Sequence, residues 1–103
     1  MEKIKTSEFN SKIENGYVVV DFFTTWCGPC KMMAPILEKI ASTMPNINFY
    51  KVDVEEEPKL GSDFKIKVVP TVMLFKNGQM VTEFSGFKPE AAVLKLLKET
   101  FNV

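Results

Sequence analysis

Cys27 and Cys30 are the only cysteines of this 103-residue chain, set two residues apart in Trp26-Cys27-Gly28-Pro29-Cys30-Lys31. Thiols at that spacing can close a small disulfide ring and reopen it. A bridge across so few residues removes little loop entropy from the unfolded chain, so it is a weak staple, and the pair points to redox chemistry. The competing use of such a pair is half of a zinc site. A closed tetrahedral site needs four ligands, whereas this chain has no histidine and no third cysteine. That leaves only a metal or cluster shared between two chains. Two ordinary buried cysteines are the plain alternative, against which stands the Gly-Pro between them.

The two sulfurs are unequal if a helix begins near Cys27. Unpaired backbone N–H groups and the positive end of the helix dipole then favour a thiolate at Cys27, the candidate nucleophile. Cys30, about one turn deeper, is expected to be more shielded, protonated at rest and aimed back at the first sulfur, as a resolving thiol must be. Gly28 lets a partner's backbone come close. Pro29 lacks an N–H and pre-sets φ for the helix, which stiffens the turn.

Several elements must hold this motif in place. Tyr17 through Phe23 is an almost unbroken apolar and β-branched run, the pattern of a strand covered on both faces, with Asp21 interrupting it. From Pro29 onward Met32, Met33, Ile36, Leu37, Ile40 and Ala41 recur at helical spacing, and Pro35 is expected to kink that helix. Ile47, Phe49, Val52 and Val54 suggest a second strand, parallel to the first across the helix. Before this unit, an apolar start at Ile4 leads into a short helix capped by Thr6 or Ser7, with Phe9 and Ile13 inward and Asn15-Gly16 as its stop. After it, Glu55-Glu56-Glu57-Pro58 reads as a solvated helix start running toward Phe64. Val68 to Phe75 and Met80 to Phe84 form an antiparallel pair around Asn77-Gly78, whose positions both accept positive φ. Pro89 opens a last helix that turns Val93, Leu94, Leu96, Leu97 and Phe101 to the sheet. The order is β-α-β-α-β-α-β-β-α, and the motif sits beyond the carboxyl end of a strand, where open α/β sheets carry their sites.

Composition bounds the partners. At 103 residues the expectation is one domain, residues 1–103, able to fold without a cross-link or metal. Thirteen basic and thirteen acidic residues cancel, so the strong positive field that nucleic acids or anionic membranes call for is missing. No apolar run approaches the roughly 20 residues of a membrane span. The amino-terminal Met1-Glu2-Lys3-Ile4-Lys5-Thr6-Ser7 has no apolar signal segment, and a cytoplasmic location is the expectation. In a reducing compartment a C-x-x-C pair is catalytic or metal-binding more often than a permanent crosslink.

Val20-Asp21-Phe22-Phe23, Trp26-Cys27-Gly28-Pro29-Cys30-Lys31, Ala34-Pro35, Val69-Pro70-Thr71 and Phe75-Lys76-Asn77-Gly78 resemble the thioredoxin family in order and spacing over nearly the whole chain. The tryptophan before C-G-P-C is the specific part; Pro-Thr or Asn-Gly alone would say little. The resemblance implies the thioredoxin fold, a three-layer α/β/α arrangement with a central mixed five-stranded sheet and four helices. It implies a protein-disulfide reductase that cycles the Cys27/Cys30 pair between dithiol and disulfide. It also implies a monomer with no bound cofactor, regenerated by a thioredoxin reductase, flavin- or ferredoxin-linked, with an NADPH-dependent flavoprotein the expected one. Ribonucleotide reductase, peroxiredoxin and methionine sulfoxide reductase are the targets the family suggests.

Further residues follow from the same resemblance. Asp21 is the buried carboxylate beneath the cysteines, acting through water as base toward Cys30. Its surroundings agree, since a carboxylate inside an apolar strand is costly to bury charged and should titrate near neutral pH; a strand-end aspartate reaching solvent or a backbone donor is the alternative. Lys51 takes the place of a lysine that approaches this carboxylate, although its neighbours alone suggest a surface lysine. Pro70 matches the family's cis-proline facing the disulfide. Trp26, Gly28, Pro29, Val69, Pro70 and Gly86 would form a mostly apolar surface on which an extended segment of a partner could lie, held by backbone hydrogen bonds beside Pro70; Val69 could instead be core. Three residues depart from the family pattern. Phe23 replaces a frequent tryptophan, Lys65 stands where glycine is usual, and Ser85 replaces an apolar residue before Gly86, which bears on local packing and partner choice and not on the sulfur chemistry.

Two other functions compete. An oxidase or isomerase would run electrons the other way, against which stand the Gly-Pro and the missing signal. A redox-inert docking subunit would use the apolar face around the C-G-P-C motif with the thiols incidental.

Overall fold

Val18 to Phe22 are buried without exception, and this places their strand at the centre of the sheet. In the computed structural model, which describes residues 1–103, the order of elements is β1 (Glu2–Lys3), α1 (Thr6–Ile13), β2 (Tyr17–Phe23), α2 (Gly28–Thr43), β3 (Ile47–Asp53), α3 (Pro58–Asp63), β4 (Thr71–Lys76), β5 (Gln79–Ser85) and α4 (Glu90–Phe101). The strands lie in the spatial order β1-β3-β2-β4-β5. β1, β3 and β2 are mutually parallel, and β4 and β5 run antiparallel as a hairpin edge. This is the expected mixed five-stranded sheet with four helices.

Strand alternation sorts the core into two layers. Val18, Val20 and Phe22 of β2 pack with Ile4, Phe9, Ile13, Leu60 and Phe75, on the face covered by α1 and α3. Val19 packs with Met33, Leu37 and Ile40 of α2 and with Val93, Leu97 and Phe101 of α4 on the other. Asp21 is two residues from Val19, so the same alternation turns its carboxyl to the α2 face. No helix is long and apolar enough to cross a membrane.

Several local expectations are corrected. Neither Thr6 nor Ser7 caps α1. Lys5 is the N-cap and the Glu8 carboxylate accepts its N–H at 2.9 Å, while the N–H and hydroxyl of Thr6 both donate to Glu57 Oε1 at 2.8 Å. Glu57 is thus more than a solvated helix start: it ties α1 to the beginning of α3. Pro35 lies inside α2 as expected, whereas Met32 of that helix faces solvent. β4 begins at Thr71 and not at Val68. The hydroxyl of Thr71 donates to the Val68 carbonyl at 2.6 Å and closes a bend there. Pro89 is the N-cap of α4, one residue outside it, while Leu94 and Leu96 are half-buried and pack against the core as expected.

Lys65 shows why glycine is usual at its position. α3 ends with Phe64 as C-cap; the N–H of Lys65 donates to Ser62 at 3.1 Å and that of Ile66 to Gly61 at 2.8 Å. That pair of bonds is a Schellman motif, which puts the residue after the C-cap in the left-handed region. Lys65 occupies it with φ +53°. Asn77 and Gly78, at +50° and +85°, fulfil the turn expectation in the β4–β5 hairpin.

Candidate redox site

β2 ends at Phe23 and α2 begins at Gly28, so the short connection between them delivers Cys27 to the N-cap of α2. Cys27 and Cys30 are joined by a disulfide with Cα atoms 5.2 Å apart. The N–H of Cys30 donates to Cys27 Sγ at 3.1 Å, a first-turn donor with no carbonyl partner inside the helix. Together with the helix dipole it favours negative charge on that sulfur once the disulfide opens. The Val69 carbonyl lies 3.5 Å from Cys27 Sγ, close enough to accept from a thiol S–H in the reduced form.

The expected contrast in exposure is absent: Cys27 is 5% exposed and Cys30 4%. What distinguishes the sulfurs is their surroundings. Cys27 faces the bend at Val69, whereas Cys30 lines a cleft of about 230 Å³ together with Asp21, Phe23, Thr24, Ala34 and Lys51. Asp21 is 1% exposed, lies inside β2 and not at its end, and no protein group bonds its Oδ1. Burial pushes its pKa up to about 7, with the Lys51 charge opposing the rise. Lys51 is its register partner across β2 and β3 and is half-buried in the cleft wall. Its ammonium also stands 5.7 Å from the Phe23 ring centroid, which gives that departure from the family pattern a contact of its own.

The bend from Val68 to Pro70 closes the other side. The Val69–Pro70 peptide bond is cis, as the resemblance implies. The Pro70 carbonyl accepts the N–H of Gly86 at 2.8 Å, which brings Gly86 to the bend. Ser85 Oγ lies 2.9 Å from Thr71 Oγ1, so the serine that replaces an apolar residue here bonds to the residue that shapes the bend. Trp26 is 68% exposed, and Val68 and Phe87 are exposed apolar residues beside Val69 and Gly86. Gly28 and Pro29 are exposed, Val69 and Gly86 half-buried, and Pro70 is buried beneath them. The chain matches the thioredoxin family model over residues 1–99, and it is 40% identical to the thioredoxin of Staphylococcus aureus over 96 residues, 92% of each chain.

The chain belongs to the thioredoxin family. Among solved structures it is similar to oxidised mitochondrial thioredoxin 3 of Saccharomyces cerevisiae, with a TM-score of 0.88 and 37% identity over 96% of this chain and 94% of that one. The thioredoxin of Plasmodium falciparum superposes with a TM-score of 0.90 at 36% identity, over 96% and 98% of the two chains. The fold is the thioredoxin fold, and the chain is a protein-disulfide oxidoreductase that works by thiol–disulfide exchange at the Cys27–Cys30 pair. Sequence reasoning missed two residues of this thioredoxin site, Thr24 in the cleft and Thr71 at the bend. Nothing in the sequence distinguishes a buried threonine hydroxyl from an exposed one.

Proposed function

We infer that the reduced chain is a protein-disulfide reductase in which Cys27 is the nucleophile, Cys30 the resolving thiol and Asp21 the base. The Cys27 thiolate attacks one sulfur of a target disulfide; the Cys27–target bond forms, the target bond breaks, and the departing sulfur leaves with the electron pair and takes up a proton. Cys30 then gives its proton, through water, to the Asp21 carboxylate and attacks Cys27. The Cys27–Cys30 bond forms as the mixed disulfide breaks, and the second target thiol leaves. In sum the two cysteines lose two electrons and two protons, and the target gains them.

The observation that carries this reading is the division of surroundings: Cys27 at a helix N-cap with a backbone donor on its sulfur, Cys30 in the cleft with Asp21. Trp26, Gly28, Pro29, Val69, Pro70 and Gly86 receive the target, and Lys51 tunes Asp21. A thioredoxin reductase, an NADPH-dependent flavoprotein, supplies the electrons from outside this chain. Ribonucleotide reductase, peroxiredoxin and methionine sulfoxide reductase are the targets proposed, in the cytoplasm, with the chain acting as a monomer.

Reduction of insulin disulfides, with NADPH and either a flavin-linked or a ferredoxin-linked reductase supplied, tests activity and electron source together. Turnover with the NADPH-linked enzyme is expected. A reduction potential well above the glutathione poise would overturn the direction of flow in favour of an oxidase or isomerase. Full biological activity in a Cys27→Ser, Cys30→Ser double variant would overturn it in favour of a docking subunit.

A further inference from the structure

Thr24 is the first residue after β2, 4% exposed, and its hydroxyl has no protein partner. Only one other buried side-chain atom of the molecule is in that condition, Asp21 Oδ1. Both residues line the same cleft, and so does Cys30. A buried hydroxyl without a partner is costly, and a threonine is an uneconomical way to fill apolar space when valine has the same shape. Both residues line one cleft of about 230 Å³, and a bridging water needs about 10–15 Å³ of such space and two to four polar partners.

The backbone of Thr24 is already fixed to the site. Its carbonyl accepts the N–H of Cys27 at 3.5 Å, and the preceding carbonyl, of Phe23, accepts the N–H of Val54 at 3.0 Å. The hydroxyl thus stands on a connection pinned both to the reactive helix start and to the end of β3. The charged groups lining the cleft are Asp21 from β2, Lys51 from β3 and Lys31 from α2, and no residue of β4 lines it. Lysines cannot accept a proton from Cys30 in their charged form, and a hydroxyl both donates and accepts.

We propose that Thr24 is a positioning residue for the second half of the reaction: its hydroxyl holds the water through which the proton of Cys30 reaches the Asp21 carboxylate. The inference rests on the assignment of Asp21 as base toward Cys30. The proton leaves Cys30 Sγ for the water as the water gives one of its own to Asp21. The Cys30 thiolate then forms the bond to Cys27 as the Cys27–target bond breaks, and the target sulfur departs with the electron pair. Thr24 itself is unchanged at the end, having oriented the oxygen.

The test measures the two half-reactions separately by rapid mixing, from mildly acidic to mildly alkaline pH, in wild type, Thr24→Val, Thr24→Ser and Asp21→Asn. Thr24→Val keeps the shape and removes the hydroxyl. It is expected to slow release of the target from the mixed disulfide by about three- to tenfold near neutral pH, the kinetic equivalent of one lost hydrogen bond, with attack by Cys27 unchanged. Thr24→Ser is expected to restore release. Thr24→Val in an Asp21→Asn background should add nothing, because the path it serves is already gone. If Asp21→Asn slows release and Thr24→Val does not, or if Thr24→Ser fails to restore it, Thr24 has no such function while Asp21 keeps its own. If Asp21→Asn releases target as fast as wild type, the base assignment itself falls, and this inference with it.

Discussion

Asp21 and Lys51 are register partners on neighbouring parallel strands, and both line the cleft that Cys30 enters. Burial pushes the carboxyl up to about 7 from an ordinary 3.8, and the lysine's charge works against that rise. The two effects have different reach: desolvation comes from the whole apolar layer around β2, while the Coulombic pull comes from one side chain. Removing Lys51 therefore shifts the balance without rebuilding the core. Lys51→Met is expected to move the Asp21 carboxyl titration upward, read from its carbonyl infrared band or by nuclear magnetic resonance. A downward movement or none would mean that the ammonium does not act on Asp21.

The same carboxyl makes stability depend on pH with a definite sign. Its folded-state value lies above its unfolded one, so the native state holds an extra proton between about pH 4 and pH 7. The contribution is complete below the unfolded value and is lost as pH rises through about 7. Unfolding free energies from urea titration should fall from about pH 4 to about pH 7 in wild type, by up to roughly 1.4 kcal/mol per pH unit inside the window, and level off above it. Asp21→Asn should show little of that fall. An equal fall in both proteins would place the titrating group elsewhere.

Lys65 carries a backbone cost that glycine would not. A non-glycine residue in the left-handed region costs about 1–2 kcal/mol, against about 0.5–1 kcal/mol for the extra unfolded-state freedom of glycine. Lys65, at φ +53°, is exposed and makes no side-chain bond. Lys65→Gly is expected to stabilise the fold by up to about 1 kcal/mol, a rise of roughly 4–8 °C per kcal/mol in Tm. A lower Tm would show that the lysine side chain contributes something its geometry does not reveal.

The strands and helices that hold the site were legible because they obey local rules. β2 reads as a buried strand from its apolar run, and period two turns Asp21 to the face where α2 starts. Two of the misreadings, at Thr6 and at Cys27, come from partners distant in sequence. Thr6 looks like a cap and is bonded instead to Glu57, 51 residues away. Val68 and Val69 look like strand, yet the Thr71 hydroxyl and the Gly86 N–H take the carbonyls of Val68 and Pro70 and hold the segment as a bend. Met32 fits the apolar spacing of α2 but points away from the sheet. Cys27 reads as exposed from its place at a helix start; the bend at Val69 that helps cover it is 42 residues distant.

Gly28 has no internal reason to be glycine. A Cβ there would meet nothing within 4 Å, and its φ lies outside the left-handed region. The open space is on the outer side of the motif, where a target backbone has to approach Cys27. Gly28→Leu should therefore leave fold stability within about 0.5 kcal/mol, as surface changes do. Reduction of insulin should fall by about tenfold, the equivalent of roughly 1.4 kcal/mol of lost approach, while a small disulfide such as dithiobis-nitrobenzoate is reduced nearly as before. Equal losses for both substrates would mean that the side chain disturbs the sulfurs themselves and not the docking.

The division of labour between the sulfurs can be trapped directly. With Cys30→Ser the Cys27 thiolate still attacks a target disulfide but nothing resolves the product, so a covalent complex should accumulate on non-reducing gels and dissolve on adding dithiothreitol. With Cys27→Ser the remaining thiol is Cys30, which lines the Asp21 cleft and lies one helical turn behind the N-cap. It lacks the backbone donor that Cys27 has, and little complex should form. The two cysteines are nearly equal in exposure, so exposure alone predicts comparable trapping. A complex that built up with Cys27→Ser and not with Cys30→Ser would reverse the assignment and make the cleft, with its carboxyl, the place where attack begins.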